Sequence, residues 1–166
     1  MTKTPDRIEK KIVLRAPLQR VWQAIADSKQ FGAWFGVSFD GPFVAGTQLM
    51  GRIVPTRADQ DVAKLQQPYE GKSFEFYVDR IDAMRSISFR WHPYAIEAGV
   101  DYSKEPTTLI VFELKEALGG TLLTVSESGF DNIPLARRAK AFTANEGGWA
   151  HQMRLIEKYL SMSATA

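Results

Sequence analysis

Cysteine is absent from this chain and histidine is scarce, with only His92 and His151 among 166 residues. The first absence excludes disulfides, thiolate metal sites and a thiol nucleophile, and leaves the redox compartment open. The second leaves too few imidazoles for a metal cluster. No HExxH, GxSxG, Walker-type or dinucleotide-type glycine pattern stands in for one. No cofactor or metal is therefore expected, and no catalytic residue is assigned. Charge of one sign is also lacking: the net charge is +2, and no Lys/Arg block interleaves with aromatics. Nucleic acid is not an expected partner. No apolar run approaches the roughly 18 residues of a membrane span. The opening "MTKTPDRIEKKIVLR" has no apolar stretch of the secretory kind, so a cytoplasmic location is expected.

What is present is the composition of an ordinary globular chain, with 45% hydrophobic and 24% charged residues. The length suits a single domain over 1–166, without repeats or linker composition. A chain of this size buries about 68–70% of its unfolded surface.

"IEKKIVLR" places Ile8, Lys10, Ile12 and Leu14 on one face of a strand. The period then changes. Pro17 suits a first helical turn, and Val21, Trp22 and Ile25 form an apolar stripe at helical spacing. Asp27 or Ser28 caps a second short helix through Phe31 and Trp34, which Gly36 stops. Segments 47–54, 72–81, 85–92, 107–117 and 120–128 are rich in β-branched and aromatic residues, with a shorter piece at 37–41. Phe74, Phe76 and Val78 alternate with Glu75, Tyr77 and Asp79; Ile87, Phe89 and Trp91 alternate with Ser88, Arg90 and His92. One buried and one wet face is the pattern of an antiparallel sheet.

Tight turns at 82–84 and 118–120 contrast with long connections at 55–71 and 93–106. In an up-and-down meander both long loops fall at one end of the sheet, together with the exit into the last helix. They are expected there near the start of that helix, around Arg138, as a mobile functional rim.

The last helix is expected over about 134–161. Leu135, Phe142, Trp149, Met153, Ile156 and Leu160 form its apolar stripe, with Asn145 and Glu146 on either side. Its middle reads "NEGGW", although each interior glycine costs about 1 kcal/mol relative to alanine. A ligand-sized space beneath the helix would offset that cost. Close approach of a neighbour at Gly148 is the alternative. Trp34, Phe76, Trp91, Phe142, Asn145, Glu146, Trp149 and Met153 are the candidate ligand-binding residues. The aromatics among them wall an apolar pocket or simply form core. Glu146 points toward the ligand, bridges to a strand arginine such as Arg52, or reaches out to water.

The chain resembles a known superfamily. "IEKKIVLRAPLQRVWQAIADSKQFGAWF" is similar to the opening of the polyketide-cyclase/START-related (SRPBCC) proteins. "TTLIVFELKEALGGTLLTVSESGFDNIP" and "NEGGWAHQMRLIEKYL" resemble one branch, the activator of heat-shock protein 90 ATPase-like family, with Met153 where that pattern has leucine. The resemblance implies an α+β helix-grip fold, a curved antiparallel sheet of six to seven strands wrapped around a long C-terminal helix. It also implies a cavity for a small hydrophobic or amphipathic molecule. Cyclase- or hydrolase-like chemistry in that cavity, with Glu146 as acid or base, is the enzymatic alternative. A chaperone partner is the third, and the polar outer face assigned to the sheet argues against it. Oligomeric state is not set by any of these features.

Overall fold

The alternating segments form seven strands: β1 (Arg7–Leu14), β2 (Val37–Phe39), β3 (Gln48–Ile53), β4 (Ser73–Asp82), β5 (Ser86–Trp91), β6 (Thr108–Ala117) and β7 (Gly120–Ser128). The computed structural model that shows them describes residues 6–94 and 101–163. All neighbours are antiparallel, in the order β1-β7-β6-β5-β4-β3-β2. The first strand thus lies against the last, with Ile8 opposite Glu127. A register shift between Val78 and Arg80 marks a bulge in β4, a device that bends a strand and increases its twist.

The concave face carries Phe76, Val78, Phe89, Ile110, Phe112, Leu123 and Val125, each essentially inaccessible to water. Two short helices close one side of this interior, α1 (Leu18–Ala26) and α2 (Ser28–Phe35). The Asp27 carboxylate accepts from the Lys29 amide at 3.0 Å and caps α2. Gly36 ends it in a left-handed conformation, φ 95°. Phe31 projects from α2 into a cluster of rings, with Phe43 at 5.5 Å and Phe89 and Phe112 each at 5.6 Å between centroids. Truncating such a side chain to alanine costs about 3–5 kcal/mol.

Helix α4 (Leu135–Ser163) lies along the sheet without interruption at Gly147 and Gly148. None of the described helices is long and apolar enough to cross a membrane. Two expectations about α4 and its surroundings need correction. Leu135 shares the helical direction of the apolar stripe but is 78% exposed; periodicity fixes where a side chain points and not whether anything lies opposite. The 55–71 connection is not a plain loop. Asp59 caps a further helix, α3 (Gln60–Gln66), by accepting from the amides of Asp61 and Val62, and a 3₁₀ turn (Gln67–Tyr69) follows.

Both long connections flank the same space but meet α4 at different turns. Arg137 holds the 93–106 connection, donating to Glu105 at 2.8 Å and to the carbonyls of Pro93 and Tyr94 at 3.0 and 3.1 Å. Its guanidinium also lies over the Tyr102 ring, 4.7 Å from the centroid. The 55–71 connection instead reaches the far part of the helix, where Asp59 pairs with Lys158. That ammonium, with the Val62 amide, holds the Asp59 carboxyl below its ordinary range. Residues 137 and 158 are about 30 Å apart along a helix, so a common sheet end does not bring both connections to Arg138. Part of the expected rim, 95–100, lies outside the described residues.

Candidate functional site

A cavity of about 390 Å³ opens between α4, the sheet and α3. Phe74 and Trp91 form its sheet wall, Val62, Leu65 and Tyr69 face it from the 55–71 connection, and His92 and Tyr94 close the end beyond β5. Ala144, Asn145, Gly148, His151 and Gln152 form the helix wall. Asn145, Gly148 and Gln152, spaced by three and then four residues, share one face of α4, and Ala144 and His151 border it. A Cβ built on Gly148 meets nothing within 4 Å. The glycine therefore borders open space, and close approach of a neighbour does not account for it.

Behind this wall lies a buried carboxylate. Glu127, on the concave side of β7, has no accessible surface. It accepts from Trp91 Nε1 at 2.7 Å, Thr108 Oγ1 at 2.5 Å, Trp149 Nε1 at 2.8 Å and Asn145 Nδ2 at 3.0 and 3.1 Å. An ionised carboxylate offers about four lone-pair sites, and these donors engage both of its oxygens. Burying such a group without partners would cost several kcal/mol. Here two indoles, a hydroxyl and a carboxamide replace the lost water. The arrangement fixes Trp91 and Asn145, whose other sides face the cavity.

The candidate residues divide into three groups. Trp91 and Asn145 line the cavity. Trp34, Phe76, Phe142, Trp149 and Met153 are buried in the core around it; Trp34 donates its indole N–H to the Ala24 carbonyl at 2.9 Å and belongs to the α1–α2 packing. Glu146 is exposed, which corrects the expectation that it points into the space between helix and sheet. The reason is the width of the buried arc. Ala141 and Leu155, both fully buried, extend it on the side of Asn145, so Asn145 sits near its middle and Glu146 falls beyond its edge. Arg52 is exposed as well.

His92 also departs from expectation. Its side chain is 7% exposed, with Nε2 3.5 Å from Glu75 Oε2 and the Tyr77 ring 6.5 Å away. It keeps the outward direction of the alternation, beside Glu75 and Tyr77, but is covered there and not wet. Both its ring nitrogens are buried without a hydrogen-bond partner among the described residues, as is Gln152 Oε1. Among these residues no group of histidine, aspartate and glutamate is arranged to hold a metal ion.

The sequence reading missed Glu127, Thr108 and Gln152. A signal for Glu127 exists, because it continues the parity of the buried Thr121, Leu123 and Val125 along β7.

Comparison with solved structures finds this architecture in several bacterial proteins. A Mesorhizobium loti protein superposes with a TM-score of 0.68 at 16% identity, covering 95% of this chain and 98% of its own. A protein from Arthrobacter aurescens gives 0.70 at 17% identity, with 96% and 88% covered. The Aha1 dimer from Colwellia psychrerythraea gives 0.64 at 16% identity, with 93% and 95% covered. At these identities the likeness establishes the fold. Among curated proteins none matches the chain. The family model for Activator of Hsp90 ATPase homolog 1-like protein matches residues 15–161, and the chain belongs to that family.

Proposed function

We propose that the chain binds one small hydrophobic or amphipathic molecule in the cavity between the sheet and α4. The observation that carries this reading is the open space itself. At about 390 Å³ it falls within the roughly 300–1,000 Å³ of small-molecule sites. Its walls are largely aromatic and aliphatic, with polar groups from α4, from Gln66 of α3, from Lys72 and Ser73 at the start of β4, and from His92. Trp91 and Asn145 would touch the ligand. Phe76, Phe142, Trp149 and Met153 would support those walls from behind.

Native mass spectrometry of the purified protein tests the reading by revealing a co-purified molecule. Gly148→Phe provides the control, since a ring at that position enters the space and displaces an occupant. A bound molecule retained equally by the Gly148→Phe protein would place it elsewhere and reject the proposal.

A further inference from the structure

The lining of the cavity carries charge of one sign. Among the described residues no aspartate or glutamate lines it, whereas Lys72, His92 and His151 do. The His92 side chain turns to the outer face of the sheet beside Glu75. Lys72 and His151 are left as the cation-forming side chains of the space, one on the sheet side and one on the helix wall. Exposure grades from floor to opening. Phe35 and Val37 are buried, Phe74 and Trp91 are half-buried, and Tyr69 and His151 are exposed.

Lys72 owes its place to strand parity. Lys72, Phe74 and Phe76 alternate with Ser73 and Glu75, so the lysine continues the concave face of β4 outward from the core. Across the ladder Phe76 lies opposite Leu49 and Phe74 opposite Gly51. Next in line, the Lys72 carbonyl accepts from the Ile53 amide at 2.9 Å, and the Lys72 amide donates to the Tyr69 carbonyl at 3.0 Å. Backbone bonds on both sides thus fix the root of a half-buried side chain whose ammonium offers three donors. His151 stands three residues beyond Gly148, at the solvent edge of the helix wall.

On the core side the Glu127 carboxylate sits behind Trp91 and Asn145. Negative charge behind the wall and positive charge at the opening give the cavity an electrical direction. An anionic group is disfavoured toward the core and favoured at the mouth, while the aromatic walls between take an apolar tail.

We infer that the cavity takes an amphiphile with an anionic head, a carboxylate in the simplest case, and that Lys72 holds this head at the mouth, with His151 as a second donor. The inference rests on the cavity being a ligand site.

The test compares octanoate, 1-octanol and octylammonium, followed through tryptophan emission, since Trp91 belongs to the wall. Octanoate should bind roughly three- to tenfold more tightly than the alcohol, with octylammonium the weakest. Lys72→Met keeps the aliphatic stem and removes the charge. In that protein the advantage of octanoate should disappear while the affinity for octanol stays unchanged, which a merely structural role of the lysine would not produce. Lys72→Glu should turn the preference toward octylammonium, and His151→Gln should weaken octanoate by about twofold. An alcohol that binds the parent protein as tightly as octanoate would overturn the inference while leaving the ligand site standing. So would a preference for octanoate that persists in Lys72→Met. Failure of all three probes to bind the parent protein would reject the ligand-site reading, and the inference with it.

Discussion

Trp91 and Trp149 donate their indole N–H groups to opposite oxygens of one carboxylate, Glu127, while their rings lie 5.8 Å apart at 31°. One residue comes from the sheet and the other from the long helix, so the carboxylate joins the two layers at the cavity wall. Glu127→Gln retains the shape and turns an NH₂ toward groups that are themselves donors. Hydrogen bonds to charged groups contribute about 1.5–3 kcal/mol each. The expected loss of stability is about 2–4 kcal/mol, read from urea unfolding, together with a change in tryptophan emission. A loss under about 0.5 kcal/mol would mean that packing alone holds the wall.

The two central glycines of α4 should separate structure from function. Neither position has an atom within 4 Å of a built Cβ. Gly147 faces water, and Gly147→Ala should stabilise the protein by about 0.5–1 kcal/mol through helix propensity. Gly148→Ala should stabilise it similarly and narrow the cavity. Thermal melting checks the first effect, and ligand titration should find affinity lowered only by the second substitution.

Arg137 is expected to control the order of the 93–106 connection, since it holds Glu105, Pro93 and Tyr94 together. Arg137→Ala leaves a half-buried carboxylate and two carbonyls without their donor. Hydrogen exchange in residues 101–106 should accelerate, and stability should fall by about 1–3 kcal/mol. Unchanged exchange there would show that Tyr102 packing suffices.

Tyr77 gives a prediction in pH. Its hydroxyl donates to Glu75 at 2.5 Å, and that bond, with burial and the nearby negative charge, pushes its pKa up to about 12. The folded state holds this proton more tightly than an unfolded chain, where tyrosine titrates near 10. The stabilisation is therefore fully present below pH 10 and is lost as pH rises from about 10 to about 12. Absorbance at about 295 nm should show one tyrosine ionising late, and Tyr77→Phe should abolish that phase.

Much of the fold was legible because its signals are local. Alternation located the strands from Ser73 to Ser128 closely, and Asp27 and Gly36 bounded α2 as their chemistry requires. The helix in 60–66 escaped notice because its apolar face is short, only Val62 and Leu65, and none of its residues is fully buried. The site was read less well. Glu127 draws donors from positions 91, 108, 145 and 149, a convergence that no sequence window contains. Glu146 drew notice for being a carboxylate beside a stripe, yet small buried residues such as Ala141 decide where that stripe ends. Glu146→Gln should accordingly change stability by no more than about 0.5 kcal/mol.

The pairing of β1 with β7 also governs how the chain comes together in time. Arg7 lies opposite Ser128 and Leu14 opposite Thr121. The first strand made during synthesis cannot find its place until more than a hundred later residues have been added. Until then Ile8, Ile12 and Leu14 have no sheet to cover them, and β7, once made, presents an open edge. Closing so long a loop is entropically slow. In that interval the charged side chains of Arg7, Glu9, Lys10 and Lys11 would guard the waiting strand against the wrong neighbour, as charges on an exposed edge do.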